Sequence, residues 1–464
     1  MVEPLLIRGA RVLDPSSGMD QVGDLLIVDG QIRQAGETVR DGDVPPDCLV
    51  IPGDGLVACP GFIDLHSHLR EPGFEDKETI ATGSLAAARG GYTTICCMPN
   101  TNPPIDSAGT VEFIARKARE AGLVRVLPIG CVSKRREGRE LAEMWELAQA
   151  GVIGFSDDGS PVGNSNLMRQ ALSYATGLGL PVIDHCEDVA LTGGLKGGAA
   201  VNEGWVSNRL GLRGWPAPAE EDMVARDIAL AEFTGGLLHL AHLSTAGSVQ
   251  LVRQAKERGI RVTAEVTPHH LTLSEAWVLG HDQSGPLSGP LTVDAYDPAT
   301  KVNPPLRSRK DVEAVIAGLR DGVLDAIATD HAPHTMVEKL VTSEDAEWGI
   351  SVLETALGAL LALVHRGEVD LMTLVTRLTT GPAAVLGDAY RDLAALRPGT
   401  TADVVLFDPN AEWVVRTAEF ASKGKNSPLE GVTLRGRVVT TIAGGRPVYS
   451  ALTDTHAGVV GDGR

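Results

Sequence analysis

The stretch GFIDLHSH, residues 61–68, is a short apolar run that ends in polar side chains. A run of this length beside a glycine is typical of a buried strand. The same unit recurs in YTTICCMPN (92–100), VRVLPIGCVS (124–133), VIGFSDDG (152–159), PVIDHCED (181–188), LLHLAHLS (237–244), RVTAEVTPHH (261–270) and LDAIATDHAPH (324–334). An open doubly wound sheet also explains strand–helix alternation, but eight units with polar ends favour an α/β fold of the (β/α)8 TIM-like barrel type. We therefore expect the active site at the carboxyl ends of the strands.

The segments between these runs have apolar residues at helical spacing, as in VEFIARKAREAG (111–122), LAEMWELAQAG (141–151) and GSVQLVRQAKERG (247–259). The segment SEDAEWGISVLETALGALLALVHRG (343–367) continues this pattern after the eighth run.

The two ends of the chain have a different pattern, with short strand-like segments broken by Gly, Asp and Pro. We predict that both ends meet in one small β-sandwich domain beside the barrel. The predicted bounds are 1–57 for its N-terminal part, 58–385 for the metal-dependent barrel and 386–464 for its C-terminal part.

Charge and composition exclude several classes of partner. The chain has 464 residues, with 41 basic against 60 acidic side chains and a net charge of −19. An acidic surface disfavours binding to nucleic acid or to anionic membranes. There is no apolar run of about 18 residues or more and no long apolar leader region. We expect a cytoplasmic protein with reduced cysteines, six in number and without a CxxC pair.

The polar residues at the strand ends include several metal ligands. His66 and His68 flank Ser67, and residues i and i+2 of a strand point to the same side. An isolated HxH pair is as typical of a turn or of the surface as of a metal site. Here, however, other strand ends contribute His185, His242 and Asp330. Together these side chains predict a metal site, because imidazole and carboxylate groups are common ligands of zinc.

The number of ligands indicates two metals and therefore a bridging anion. Four histidines plus Asp330 would saturate one four-coordinate zinc and leave no open position. In VIGFSDDG the Asp-Gly pair is also typical of a turn. If Phe155 packs into the barrel wall, strand alternation places Asp157 on the same side and Asp158 on the opposite one. We expect Asp158 to be the bridge, and Asp157 to cap or orient the loop.

Several motifs in this order resemble the dihydroorotases of the bacterial type I class, which belong to the amidohydrolase superfamily. They are DLHSHLREPG (64–73), MPNTNPP (98–104), FSDDG (155–159), DHCED (184–188), AHLST (241–245), EVTPHHL (265–271), NPPLR (303–307), ATDHAPH (328–334) and, near the C-terminus, SKGKNSPLEG (422–431). The resemblance implies reversible cyclisation of N-carbamoyl-L-aspartate to (S)-dihydroorotate and water, a step of de novo pyrimidine (UMP) biosynthesis. It also implies a hydrolase of cyclic amides that uses two zinc ions per chain.

The resemblance assigns roles to individual residues. One zinc would be held by His66, His68 and Asp330, and the other by His185 and His242, with Asp158 bridging both. Asp330 would also be the catalytic proton carrier. The substrate would contact His68, Arg70, Asn100, Asn303, His334, Trp348 and Gly349. Of these, Arg70, Asn100 and His334 would hold the carboxylate, while Asn303 and the backbone around Trp348 and Gly349 would hold the ring.

The sequence departs from the family pattern at some positions, and other functions remain open. Trp348 stands where the family pattern predicts Phe, and the segment 272–300 is longer and richer in Gly and Pro than expected.

Another cyclic amidase, such as a hydantoinase with an aspartate bridge, is the nearest enzymatic alternative. Hydantoinases typically place a carboxylated lysine at the fourth strand, and VIGFSDDG contains no lysine. A non-catalytic scaffold partner of aspartate carbamoyltransferase is the other alternative. The sequence also leaves open whether the chain forms a homodimer and whether it binds that transferase as an active enzyme.

Overall fold

Parallel strands form the wall of a closed barrel. The structure is a computed structural model that describes residues 2–194, 200–280, 282, 285–287 and 294–452. One parallel sheet contains Phe62–Ser67, Tyr92–Cys97 and Arg125–Pro128. A second contains Val182–Asp184, Leu238–Leu240, Val262–Val266 and Ala326–Ile327. Isolated parallel bridges join the two sheets, Gly130 to Phe155 to Val182 on one side and Ser67 to His331 on the other. The predicted (β/α)8 barrel is confirmed.

The fourth run, residues 152–159, is the least regular part of the wall. Phe155 links this run to both neighbouring strands, through isolated bridges to Gly130 and to Val182. Its side chain is fully buried in the core around the barrel. The chain then leaves the wall, and the carboxylate of Asp157 accepts hydrogen bonds from the backbone N–H groups of Val132 and Ser133, at 2.9 and 3.1 Å. Asp157 thus orients the neighbouring loop, as predicted, and Asp158 is left facing the barrel mouth.

Helices surround the wall, and many begin at a side-chain cap. Ser107, Asn164, Thr245 and Ser308, for example, each accept a hydrogen bond from a backbone N–H group of the following first turn. The helices are Ile80–Arg89, Ala108–Ala121, Met144–Ala150, Ser165–Leu178, Val189–Thr192, Trp205–Leu210, Pro218–Thr234, Ala246–Glu257, Pro268–Thr272, Arg309–Arg320, Met336–Lys339, Ala356–His365, Leu371–Leu378 and Thr380–Leu386.

The helix predicted within 343–367 is shorter than the sequence pattern indicates, since it begins only at Ala356. The preceding residues form a loop in which Ile350 bridges to His331, next to the end of the eighth strand. Gly349 adopts a φ of 129°, which other residues rarely adopt and which breaks the helical pattern. This departure matters for the site, because the loop carries Trp348 and Gly349 to the barrel mouth.

The two ends of the chain meet in one sheet beside the barrel. In spatial order its strands are Arg446–Ser450, Thr433–Ala443, Val404–Val414, Val57–Pro60, Leu5–Asp14, Met19–Val28 and Gln31–Ala35, with Leu49–Pro52 also paired to Leu5–Asp14. The contact between the ends is antiparallel and pairs Val404 with Pro60. A shared apolar core includes Ile7 and Ile27 from one end and Leu406 and Ile442 from the other. The predicted bounds 1–57, 58–385 and 386–464 stay a prediction, and residues 453–464 lie outside the described part.

Within the described ranges, no helix has both the length and the apolar character that a membrane span requires.

Candidate metal centre and substrate cavity

His66, His68 and Asp330 converge at the carboxyl ends of the first and eighth runs. The Nε2 atom of His68 lies 3.1 Å from Oδ1 of Asp330, and Nε2 of His66 lies 3.5 Å from the same oxygen. All three side chains are buried. Asp330 has a φ of 47°, a left-handed conformation that costs free energy for a residue with a Cβ atom. The fold therefore holds these donors together at the expense of local backbone strain.

Asp158 connects this group to a second pair of histidines. Its Oδ1 atom lies 3.4 Å from Nε2 of His66, 3.4 Å from Nδ1 of His185 and 3.5 Å from Nε2 of His242. Its Oδ2 atom lies 3.5 Å from Nε2 of His68. One carboxylate thus faces four imidazoles, as a bridging ligand would.

Some buried polar atoms in this cluster lack hydrogen-bond partners, which indicates whether the side chains fit a metal. Among the described residues, Nε2 of His66 and Oδ1 of Asp158 are buried and have no hydrogen-bond partner. Leaving such atoms unsatisfied costs free energy, so buried polar atoms of this kind call for a ligand. Ligand atoms of His66, His68 and Asp330 lie within 4.8 Å of one another, and so do those of His66, Asp158 and His242. The donor set fits a metal centre.

The two carboxyl groups are held in their anionic form. Burial opposes ionisation of Asp158, but the charge of His66 and the close contacts with His185 and His242 keep its pKa well below the usual value. Burial likewise opposes ionisation of Asp330, and the contact with His68 and the charge of His66 lower its pKa. Ionised carboxylates are the form that binds a cation.

A glutamate that the sequence analysis missed lies behind His66. Oε1 of Glu265 lies 3.0 Å from Nδ1 of His66, and Oε2 lies 3.0 Å from Nε2 of His239. Burial opposes ionisation of Glu265, yet the hydrogen bonds with His239 and His66 lower its pKa to about 2. His239 is fully buried, and its Nδ1 atom lies 2.8 Å from the hydroxyl of Thr263. A carboxylate behind a metal-binding histidine fixes its tautomer and orientation.

A second glutamate that was missed, Glu187, links the metal centre to a predicted substrate residue. Its Oε2 atom lies 3.1 Å from Nε2 of His185 and accepts a hydrogen bond from Nδ2 of Asn303 at 2.9 Å. Its Oε1 atom accepts from the hydroxyl of Thr192 at 2.7 Å. Glu187 lies in the quoted motif DHCED, but its contact with Asn303 spans 116 positions and leaves no local signal.

A cavity of about 270 Å³ opens beside the cluster. It brings together every residue predicted to contact the substrate, namely His68, Arg70, Asn100, Asn303, His334, Trp348 and Gly349. Glu347 and Ala332, which were not predicted, line it as well. A cavity with several converging polar groups beside a metal centre is a typical small-molecule site.

Arg70 and His334 lie side by side in the wall of this cavity. The Nη2 atom of Arg70 lies 3.2 Å from Nε2 of His334, and Nε of Arg70 donates to the carbonyl of Pro333 at 3.3 Å. Burial and the nearby charge of Arg70 lower the pKa of His334 to about 3, despite its contact with Glu338. His334 is therefore neutral near pH 7, and Arg70 is the positively charged member of the pair.

Comparison with known proteins identifies the family of this chain. The family model described as Dihydro-orotase-like matches residues 55–248. The dihydroorotase of Geobacter sp. (strain M21) is 48% identical over 96% of this chain and 99% of its own length. That of Pelotomaculum thermopropionicum is 49% identical over 96% of this chain and 98% of its own length. The chain belongs to the dihydroorotase family.

Solved structures support the fold of this dihydroorotase family member. The L-hydantoinase of Arthrobacter aurescens has a TM-score of 0.81 and 22% identity over 97% of this chain and 96% of its own. The dihydropyrimidinase of Brevibacillus agri has a TM-score of 0.78 and 22% identity over 96% and 95%. At this level of identity, the similarity concerns the architecture alone.

The two adjacent histidines of the quoted motif EVTPHHL have different surroundings. His270 has structural contacts, with Nδ1 at 2.7 Å from the hydroxyl of Thr267 and Nε2 at 3.0 Å from the carbonyl of Pro304. His269 is buried, and within the described part of the chain neither of its ring nitrogens has a hydrogen-bond partner. Nothing in the structure explains why the ring of His269 lacks such partners.

Proposed function

We propose that this protein is a dihydroorotase that interconverts N-carbamoyl-L-aspartate and (S)-dihydroorotate in pyrimidine biosynthesis. The observation that carries the proposal is the buried Arg70 in the same cavity as the cluster of histidines and aspartates. A guanidinium group binds a carboxylate at two points, which suits a ring that carries a carboxylate. Sequence identity of 48% to named dihydroorotases over nearly the whole chain supports the same assignment.

Two zinc ions are the proposed cofactors. His66, His68 and Asp330 would hold one ion, His185 and His242 the other, and Asp158 would contact both. When bound, the ions would polarise the amide carbonyl and lower the pKa of a water molecule. The protein residues fix the donors in the correct protonation state, since Asp158 and Asp330 are ionised.

Asp330 is the proposed catalytic proton carrier. In hydrolysis its carboxylate takes a proton from the attacking water and returns it to the ring nitrogen that leaves the amide. In the biosynthetic direction the same carboxylate takes the proton from the ureido nitrogen. The ionised state of Asp330 suits the role of proton acceptor, and its position in the cavity wall gives it access to the reacting atoms.

The substrate would lie across the cavity. Arg70, Asn100 and His334 would bind its carboxylate, and Asn303 with the backbone around Trp348 and Gly349 would bind the ring. His68 would face the substrate as well. Asn100 is already oriented, because its Oδ1 atom lies 2.9 Å from Nδ1 of His68.

Assembly and location are proposed from the family alone. We propose a cytoplasmic enzyme that forms a homodimer or binds aspartate carbamoyltransferase. Size-exclusion chromatography with light scattering, with and without the transferase, tests both. A single monomeric peak under both conditions would contradict this part of the proposal.

Metal content and dihydroorotate hydrolysis, measured together on wild type and Asp158→Ala, test the function. We expect about two metals per chain and activity in wild type, and loss of both in the variant. Faster turnover of 5-substituted hydantoins than of dihydroorotate would instead indicate a hydantoinase. Absence of both activities in the metal-loaded protein would favour the scaffold alternative. Full activity of Asp158→Ala would refute the bridge.

A further inference from the structure

Asn426 lies in the C-terminal segment 422–427, far in sequence from the barrel but in contact with the loops at its mouth. Its side-chain Nδ2 atom donates to the carbonyl of Ala332 at 3.1 Å and to that of Gly349 at 2.9 Å. Its Oδ1 atom accepts from the backbone N–H of His334 at 3.0 Å and from the hydroxyl of Ser351 at 3.1 Å. The residue is 3% exposed.

These contacts use the full hydrogen-bonding capacity of the amide, which has two donor hydrogens and one oxygen with two lone pairs. They join two separate stretches of the cavity wall. Ala332 and His334 follow the eighth strand, whereas Gly349 lies in the loop after it. The backbone of Asn426 adds a further link, since its carbonyl accepts from the N–H of Ser351 at 2.9 Å.

The segment that carries Asn426 is closely packed in this position. A Cβ atom on Gly424 would lie only 2.5 Å from Cβ of Pro333 and 2.5 Å from Oγ of Ser351. The hydroxyl of Ser422 donates to Glu78, which also contacts His331. The ammonium group of Lys425 donates to the carbonyls of Phe420 and Ser422, at 2.6 and 2.7 Å. The residues that precede Asn426 are thus held against the loops at the barrel mouth.

We infer that Asn426 is a positioning residue for substrate binding, through which the C-terminal segment sets the geometry of His334 and Gly349. This inference rests on the proposed function, because those two residues are its proposed substrate contacts. None of the hydrogen bonds that Asn426 makes within the described residues involves a side chain of the proposed metal centre. Asn426 therefore affects substrate affinity and leaves metal binding intact.

The test compares Asn426→Asp with wild type. The aspartate has the same size and keeps the acceptor for His334, but it places a carboxylate against two carbonyl oxygens. We expect the KM for dihydroorotate to rise about tenfold, with kcat within about threefold and metal content unchanged. Hydrogen–deuterium exchange should become faster in peptides that cover 331–334 and 349–351. Asn410→Asp, an exposed position of the same domain, is the control.

The outcomes separate the two claims. If wild type does not hydrolyse dihydroorotate, the proposed function is wrong, while the exchange measurement still tests the contacts of Asn426. A KM unchanged in Asn426→Asp, with or without faster exchange, overturns the positioning role. A purely structural role would lower stability without changing the KM of the folded fraction. If Asn426→Asp does not fold, Ser351→Ala removes one contact of the same amide and should raise KM about threefold.

Discussion

The Nδ1 atom of His66 lies 3.0 Å from Oε1 of Glu265, on the side of the imidazole ring opposite the metal cluster. The other oxygen of the same carboxylate lies 3.0 Å from Nε2 of His239. In the neutral form of His66, which is the form that binds a metal, Nδ1 donates to Glu265 and the lone pair of Nε2 points at Asp158 and Asp330, from which it lies 3.4 and 3.5 Å away. The buried glutamate thus selects the tautomer that can bind a metal.

Replacing this glutamate by glutamine should weaken metal binding without unfolding the protein. In Glu265→Gln the ring of His66 loses its charged acceptor, and we expect zinc affinity to fall about 10- to 100-fold. Competition with a chelator during zinc titration of the metal-free protein measures this change. Glu257→Gln, on an exposed helix end, is the matched control. Equal zinc affinity in both variants would mean that Glu265 does not orient a ligand.

Glu187 should influence both metal and substrate, because it contacts His185 and Asn303 with the same oxygen. Burial opposes its ionisation, but the contacts with His185 lower its pKa to about 2. In Glu187→Gln we expect zinc affinity to fall about tenfold and the KM for dihydroorotate to rise several-fold. Measuring KM at saturating zinc separates the two effects. A KM that returns to the wild-type value at saturating zinc would show that Asn303 does not need this contact.

Arg70 should discriminate substrates by their carboxylate. In Arg70→Lys a point charge replaces the planar group, and we expect kcat/KM for dihydroorotate to fall about 30-fold. Dihydrouracil, the same ring without the carboxylate, serves as the reference substrate, and the rate at which the protein hydrolyses it should change by less than about threefold. An equal fall in kcat/KM for both substrates would indicate that Arg70 supports the loop of His334 and does not bind the carboxylate.

The sequence predicts the strand ends well, because parallel strands of a barrel present their polar ends on one face. His66, His68, His185, His242 and Asp330 could be grouped on that basis alone. Glu265 could not, since its role depends on contacts with His66, 199 positions away, and with His239 in the next strand. Asn426 lies in a C-terminal segment far along the chain, and its partners are mainly backbone groups, which no sequence pattern specifies.

The loop before Ala356 shows another limit of such patterns. Its apolar spacing predicts a helix, but Ile350 bridges to His331 and Asn426 contacts Gly349, and these contacts hold the stretch as an irregular loop at the barrel mouth. Tertiary contacts thus override local propensity where the cavity is built.

Lys339 should make the unfolding free energy depend on pH above neutrality. Its buried ammonium group donates to the carbonyls of Pro298 and Glu347, at 3.0 and 2.6 Å, and supports the loop that carries Trp348. Burial, and next the charge of Lys301, lower its pKa to about 7. An unfolded chain keeps this lysine protonated up to a pH of about 10.4.

Between about pH 7 and pH 10 the unfolded state therefore binds a proton at Lys339 that the folded state lacks, and the contribution of this group to the unfolding free energy rises with pH. The slope is at most about 1.4 kcal/mol per pH unit. We expect Lys339→Met to lose this slope in urea unfolding at about pH 7.5, 8.5 and 9.5, because methionine fills similar space without a titrating group. Lys310→Met, at an exposed helix position, should keep the wild-type slope. An unchanged slope in Lys339→Met would mean that the buried amine keeps its ordinary pKa in the folded protein.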